Sequence, residues 1–359
     1  MIENILFYIV FLAQIILLSF YYPAKISTRF RQIFETYPPD KYPKLYPKSD
    51  EYYTKWEFRY RIINIIILFL GFIILFVIGF NDYHGKETQS NIIPVVYFMI
   101  QNFPLLLMEI SGFSYFKLMK KADTRTVRET KLQPRRLFDF ISPSIVGLAI
   151  FANVASILFF FSLEQFQFSI VGDTSIILLS LLASNGLYAG IIYWNLYGKK
   201  LDPYQDSKDR IQQIEATIKS LVFMSIAACV FLITTKSIKE FDLGNFQHVI
   251  MSLYLQIIVV MGLGSMLKKL RIENVNFDVY KVEISEDSNE KNIYRNIEDN
   301  SSSKRIIIGL CVGLIIGLAF GTLIILEGGT IKGFVLPVIF GTALGTIAGG
   351  YFELKNNNN

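Results

Sequence analysis

Nine long apolar blocks divide this sequence. Crossing the hydrocarbon core of a bilayer takes about 20 apolar residues, and the blocks come near or exceed that length. A backbone in hydrocarbon satisfies its N–H and C=O groups only in a helix or a closed barrel, and no block alternates as a barrel strand does. The blocks are 5–21, 62–80, 92–116, 138–163, 176–197, 220–235, 248–267, 306–326 and 333–351. The sequence therefore predicts an all-α, polytopic integral membrane helix bundle of about nine transmembrane helices.

The composition excludes several other classes of protein. Hydrophobic residues make up 52% of the chain and charged residues 18%, whereas a soluble protein has about 25% charged residues. A disordered, collagenous or disulfide-stapled chain is excluded. Cys229 and Cys311 both lie in apolar blocks, so we expect them to act as small hydrophobic side chains. Residues 1–4 lack the positive charge of a signal peptide, which favours a retained first helix over a cleaved one.

Lysine and arginine fall almost entirely on one side of the predicted membrane. If the blocks alternate in direction, 31 of the 35 basic residues share one side, and only Lys86, Lys236, Lys239 and Lys332 lie on the other. Because cytoplasmic loops carry the excess of basic residues, we expect a plasma (inner) membrane protein with its N-terminus outside and its C-terminus in the cytoplasm. The basic face would attract anionic lipid headgroups, so the net charge of +5 does not indicate a nucleic-acid partner.

The charged stretches divide the chain into regions. We expect a seven-helix membrane body, a charged cytoplasmic linker, a two-helix glycine-rich membrane hairpin and a polar tail, at residues 1–267, 268–305, 306–352 and 353–359. The Tyr/Pro-rich cytoplasmic loop 22–61 is predicted to be an extended, polyproline-like strap, because proline and the residue before it disfavour helix. It would act as a rigid connector or as a ligand for a docking partner. The linker is expected to be partly disordered, with 277–284 as one strand or a surface strap.

Glycine recurs every fourth residue in the last two blocks. Stripes of small residues let helix backbones approach closely in lipid. The spacing resembles that of the glycine-zipper two-helix modules of bacterial membrane proteins, over about 45 residues. Because only 327–332 join the two blocks, we expect a tight antiparallel hairpin. This hairpin would pack on itself or use its second stripe for self-association into a homo-oligomer. The helix-packing candidates are Gly309, Gly313, Gly317, Gly321, Gly341, Gly345 and Gly349.

Polar residues within the spans are the candidates for a functional site. Glu109 in the third block is the one clear ionisable residue in a span, which makes it a candidate for binding an ion, a substrate or a proton. Asn102 lies two turns earlier near the same helical face, and Pro104 interrupts the hydrogen bonds of this helix. Central amides occur in other blocks at Gln14, Asn153, Asn185 and Gln256. Together these side chains would line a polar cavity around Glu109, or each amide would act as hydrogen-bonding glue between helices.

Sequence motifs for catalysis or metal binding are missing. There is no HExxH helix, G-x-S-x-G elbow or phosphate-binding P-loop, and the two histidines, His84 and His248, fit no ligand spacing. We therefore expect no catalytic residues, no metal and no cofactor. The sequence favours a non-catalytic membrane scaffold or assembly component that self-associates through its glycine-rich helices. The alternative is a transporter or channel-like protein with an intramembrane polar site around Glu109.

Overall fold

A computed structural model describes residues 2–80, 92–123, 125, 135–163, 165 and 173–281. The α-helices in these residues are α1 (Ile2–Ile16), α2 (Tyr22–Thr36), α3 (Asp50–Phe80), α4 (Ile92–Ala122), α5 (Pro143–Leu163), α6 (Asp173–Tyr197), α7 (Ser207–Glu240), α8 (Gln247–Val259) and α9 (Ser265–Lys269). Seven helical stretches of this part of the chain are long and apolar enough to cross a membrane, and they correspond to the first seven predicted blocks. The predicted eighth and ninth helices, with their glycine stripes, lie outside the described residues.

A π-helical turn interrupts both the first and the last of these seven stretches. The turn Leu17–Tyr21 joins α1 to α2, and the turn Val260–Gly264 joins α8 to α9. The two turns lie side by side, because residues next to or within them share one small apolar cluster. Gly264 permits this close approach, since a Cβ atom there would lie only 2.5 Å from the hydroxyl oxygen of Tyr22.

The seven stretches form two groups around separate apolar cores. In the first group, α1, α3, α4 and α8 enclose a core that includes Phe7, Ile67 and Tyr97. In the second group, α5, α6 and α7 enclose a core that includes Ala149 and Ile218. Helix α7 also packs against α8 and thereby joins the two groups. Each group has an interior in which polar side chains must find partners on neighbouring helices.

The outer surface of the bundle carries large apolar side chains. Phe76 is 73% exposed, and Phe151 and Leu179 are each 69% exposed. A surface that is apolar over many turns suits contact with lipid tails and would be a liability in water. The described residues therefore have both the length and the surface of a protein embedded in a membrane.

The loop 22–61 is mostly helical, so the prediction of an extended strap was wrong. Helices α2 and α3 cover all of it except 37–49, and a short 3₁₀ turn at Pro43–Leu45 lies within that remainder. The four prolines that suggested the strap all lie inside 37–49, and a proline restricts only its own backbone and the residue before it. Pro23 follows the π-helical turn Leu17–Tyr21 directly and lies in the first turn of α2.

Aromatic side chains close one end of the bundle, which we call the basic end because most of the predicted basic loops lie there. The segments 37–49 and 270–281 meet at this end, where Tyr37 stacks on Phe277 with ring centroids 4.0 Å apart. Residues Phe277–Tyr280 form a 3₁₀ turn. The described part, 277–281, is therefore a packed turn and not a strand, which was one of the two structures that the sequence suggested.

A half-buried carboxylate, Asp202, lies within this aromatic end. The Tyr280 hydroxyl donates a hydrogen bond of 2.5 Å to Oδ2 of Asp202, and the backbone N–H of Tyr204 donates one of 2.8 Å to Oδ1. Burial raises the pKa of Asp202 above its ordinary value. Burial and the neighbouring Asp202 carboxylate also raise the pKa of Tyr280. The Tyr280 bond ties the chain after α9 to the loop between α6 and α7.

Candidate functional site

Gln14 lies at the centre of a buried polar network in the first group of helices. Gln14 lies seven residues after Phe7 and therefore on the same face of α1. Its carboxamide points into the core and is 0% exposed. Its Nε2 atom donates to the Pro94 carbonyl at 3.1 Å and to Oε1 of Gln101 at 3.0 Å. Its Oε1 atom accepts a hydrogen bond of 2.6 Å from the Ser252 hydroxyl. One side chain of α1 therefore binds both α4 and α8.

Gln101 extends the network along a directed chain of hydrogen bonds. Its Nε2 atom donates to Oγ of Ser19 at 2.8 Å and to the Gln14 carbonyl at 3.3 Å. The Tyr97 hydroxyl donates to the Ile67 carbonyl of α3 at 2.9 Å. Ser19 therefore donates the hydrogen of its 3.1 Å contact with Tyr97. The chain runs from the Gln101 amide to the backbone of α3 and connects three spans.

Gly71 of α3 makes room for the end of this chain. A Cβ atom at Gly71 would lie 2.1 Å from the hydroxyl oxygen of Tyr97. Any side chain there would displace the Tyr97 hydroxyl, which hydrogen-bonds to Ser19 and to the Ile67 carbonyl. The absence of a side chain at Gly71 is thus a packing requirement of the network.

Gln256 completes the contact between α8 and α1. Its Nε2 atom donates to the Val10 carbonyl at 3.0 Å and lies within hydrogen-bond distance of the Ser252 carbonyl at 3.3 Å. We define the carboxamide network as the side chains of Gln14, Ser19, Tyr97, Gln101, Ser252 and Gln256. All six are buried, with exposures of 9% or less. Buried amides and hydroxyls that bond across helices stabilise association in lipid, where unpaired polar groups are costly.

The second group of helices contains its own polar cluster, the asparagine triangle of Asn153, Asn185 and Ser225. Nδ2 of Asn153 donates to Oγ of Ser225 at 3.0 Å, and the Ser225 hydroxyl donates to Oδ1 of Asn185 at 2.5 Å. Nδ2 of Asn185 donates to Oδ1 of Asn153 at 2.8 Å and closes the ring. Each corner lies on a different helix. The triangle therefore binds α5, α6 and α7 to one another.

The residues predicted to surround Glu109 lie in separate places. Asn153 and Asn185 belong to the asparagine triangle, and Gln256 belongs to the carboxamide network. Asn102 donates to the Phe98 carbonyl of its own helix at 2.8 Å. Glu109 is exposed on the surface of α4. Among the described residues, the five candidates do not share one site.

Gln101, next to the predicted Asn102, is the position of the carboxamide network that sequence reasoning missed. The buried positions in the first half of α4 are Pro94, Tyr97, Gln101 and Pro104, which follow the spacing of one helical face. This spacing can be read from the sequence, and it places Gln101 on the buried face of α4. Asn102 shares a face with Glu109, and on this face Asn102 is half-buried and Glu109 is exposed.

Side chains that could ligate a metal are scattered in the described part of the chain. No group of three or more His, Cys, Asp and Glu side chains is close enough together there to hold a metal ion. His248 is fully buried against the edge of the Phe7 ring, with ring centroids 4.6 Å apart. His84 lies outside the described residues.

No known protein family, curated protein or solved structure matches this chain. The class of protein therefore follows from the apolar spans and their polar interior alone. Seven long apolar helices are typical of a multi-pass membrane protein. Its described spans are joined by two hydrogen-bonded clusters, of which the carboxamide network is buried and the asparagine triangle is half-buried.

Adjacent residues of α4 provide a matched test of the carboxamide network. We expect Gln101→Leu to lower the free energy of unfolding by about 1–3 kcal/mol, because Ser19 and Gln14 lose buried hydrogen-bond partners. Asn102→Leu should change it by less than about 0.5 kcal/mol, because only a bond within α4 is lost. Unfolding in mixed micelles of increasing SDS content, followed by far-UV circular dichroism, measures both. Equal losses in the two variants would contradict the assignment of Gln101 to the network.

Proposed function

We propose that this protein is a non-catalytic membrane scaffold or assembly component. The observation that supports this function is that the side chains of its two polar clusters bond to one another. The carboxamide network and the asparagine triangle use their donors and acceptors on neighbouring helices. Polar groups committed to one another fix the arrangement of the helices and are poorly placed to receive a substrate. A rigid body of this kind suits a protein that positions partners in a membrane.

The proposed membrane is the plasma (inner) membrane, with the N-terminus outside and the basic end in the cytoplasm. The distribution of lysine and arginine supports this orientation. Self-association into a homo-oligomer would use the glycine stripes of 306–326 and 333–351, which lie outside the described residues. Their four-residue spacing supports close contact between helices of neighbouring copies.

Replacing two glycines of the first stripe with leucine tests self-association. We expect Gly313→Leu combined with Gly317→Leu to reduce cross-linking between copies several-fold in native membranes, because leucine keeps helix backbones apart. Gly79→Leu combined with Gly147→Leu is the matched control, since a Cβ atom at either position meets nothing within 4 Å in the described structure. Cross-linking that survives in the Gly313/Gly317 variant would contradict self-association through this stripe.

The alternative function is a transporter or channel-like activity at Glu109. Its support is a carboxylate on the exposed face of a membrane-spanning helix, which is a costly place for a charge without a function. This alternative predicts a proton or cation flux in proteoliposomes of the wild-type protein that Glu109→Gln abolishes. Wild-type proteoliposomes with no flux above that of empty vesicles would contradict it and would favour the scaffold.

A further inference from the structure

A groove of about 1040 Å³ opens at the basic end between the first and the last described spans. One wall comes from α2 with the turn before it, and the other comes from α9 with the turn before it and residues 271–274 after it. The apolar part includes Phe20 and Tyr21 on one wall and Val260 on the other. The basic side chains are Lys25, Arg29, Lys268 and Arg271. The groove thus combines an apolar surface with four positive charges.

Apolar and basic residues occur in the same order along both walls. Phe20 precedes Lys25 by five residues, and Val260 precedes Lys268 by eight, which correspond to about 7 and 12 Å along a helix. Both walls therefore change from apolar to basic toward the end of their membrane spans. A glycerophospholipid changes in the same sense at the membrane surface, from its acyl chains to its phosphate.

The charge of the groove is largely uncompensated. Within the described residues, no carboxylate lies at ion-pair distance from Lys25, Lys268 or Arg271, and all three are exposed. Arg29 is half-buried, and its guanidinium donates to the Leu270 carbonyl, which holds it at the base of the groove. Glu273 is the one carboxylate in the lining. The remaining excess of positive charge favours an anionic ligand.

Both walls also depart from regular helix at the groove. The π-helical turns Leu17–Tyr21 and Val260–Gly264 each contribute residues to the lining. A π-helical turn adds a residue and so rotates the following side chains by about 100° relative to an unbroken helix. Such turns are frequent at functional sites. Here the rotation affects the positions of Lys25 and Lys268, the basic residues that follow each turn.

We propose that this groove binds the headgroup of an anionic phospholipid. The phosphate is surrounded by the four basic side chains Lys25, Arg29, Lys268 and Arg271. The planar guanidinium of Arg29 donates hydrogen bonds to the phosphate oxygens. The acyl chains run along Phe20 and Val260 toward the hydrocarbon. The proposal requires a protein embedded in a membrane, but it is independent of scaffold function and of self-association.

Lipid binding to the purified full-length protein in detergent, measured by native mass spectrometry, tests this proposal. The probes are phosphatidylglycerol and phosphatidylcholine. We expect Lys25→Gln combined with Lys268→Gln to weaken phosphatidylglycerol binding about tenfold to thirtyfold and to leave phosphatidylcholine unchanged. The control, Lys41→Gln combined with Lys208→Gln, removes the same charge from exposed positions outside the groove and should weaken binding less than about twofold.

Two results would overturn the assignment of the groove to a lipid. Equal losses in the groove and control variants would mean that general surface charge attracts the lipid, and the proposal would be wrong. Displacement of phosphatidylglycerol by excess inorganic phosphate would identify a free anion site in place of a lipid site. If the double variant fails to fold, as judged by circular dichroism, Arg271→Gln alone provides the same comparison, because this exposed side chain lies on the rim of the groove.

Discussion

The fully buried carboxamide of Gln14 is the interaction on which the first group of helices depends. An amide in hydrocarbon has no water to satisfy it, so its donors and acceptor must be met by other helices. Gln14 meets this requirement with Pro94, Gln101 and Ser252, which lie on α4 and α8. Apolar packing alone would tolerate rotation or sliding of these helices, because lipid is as apolar as the core. The hydrogen bonds select one arrangement.

This constraint also explains how the chain closes on itself. Gln14 and Ser252 are 238 residues apart in sequence, yet they place the first described span against the last. The two π-helical turns lie on these same spans, and Gly264 permits their close approach. The proposed lipid groove is therefore a consequence of the α1–α8 contact. The asparagine triangle performs the corresponding task for α5, α6 and α7.

The sequence predicts the seven described spans well because hydrocarbon allows so few backbone structures. It also identifies Gln14, Asn153, Asn185 and Gln256 as central amides. It does not identify their hydrogen-bond partners. The spacing of apolar residues shows which face of a helix is buried, but it does not show which neighbouring helix packs against that face. Gln101 illustrates the difference, since its phase with Tyr97 was available but its bond to Gln14 required the fold. The prediction of a strap was wrong because the prolines within 37–49 restrict the backbone only there, whereas the predicted strap covered 40 residues.

A double-mutant cycle between Gln14 and Gln101 tests the central claim that buried carboxamides hold the spans together. The free energies of unfolding of Gln14→Leu, Gln101→Leu and the double variant would be measured in the same mixed micelles. We predict a coupling energy of about 1–2 kcal/mol between the two positions, because each side chain loses a buried partner when the other is removed. Additive losses, with a coupling energy below about 0.5 kcal/mol, would contradict this claim.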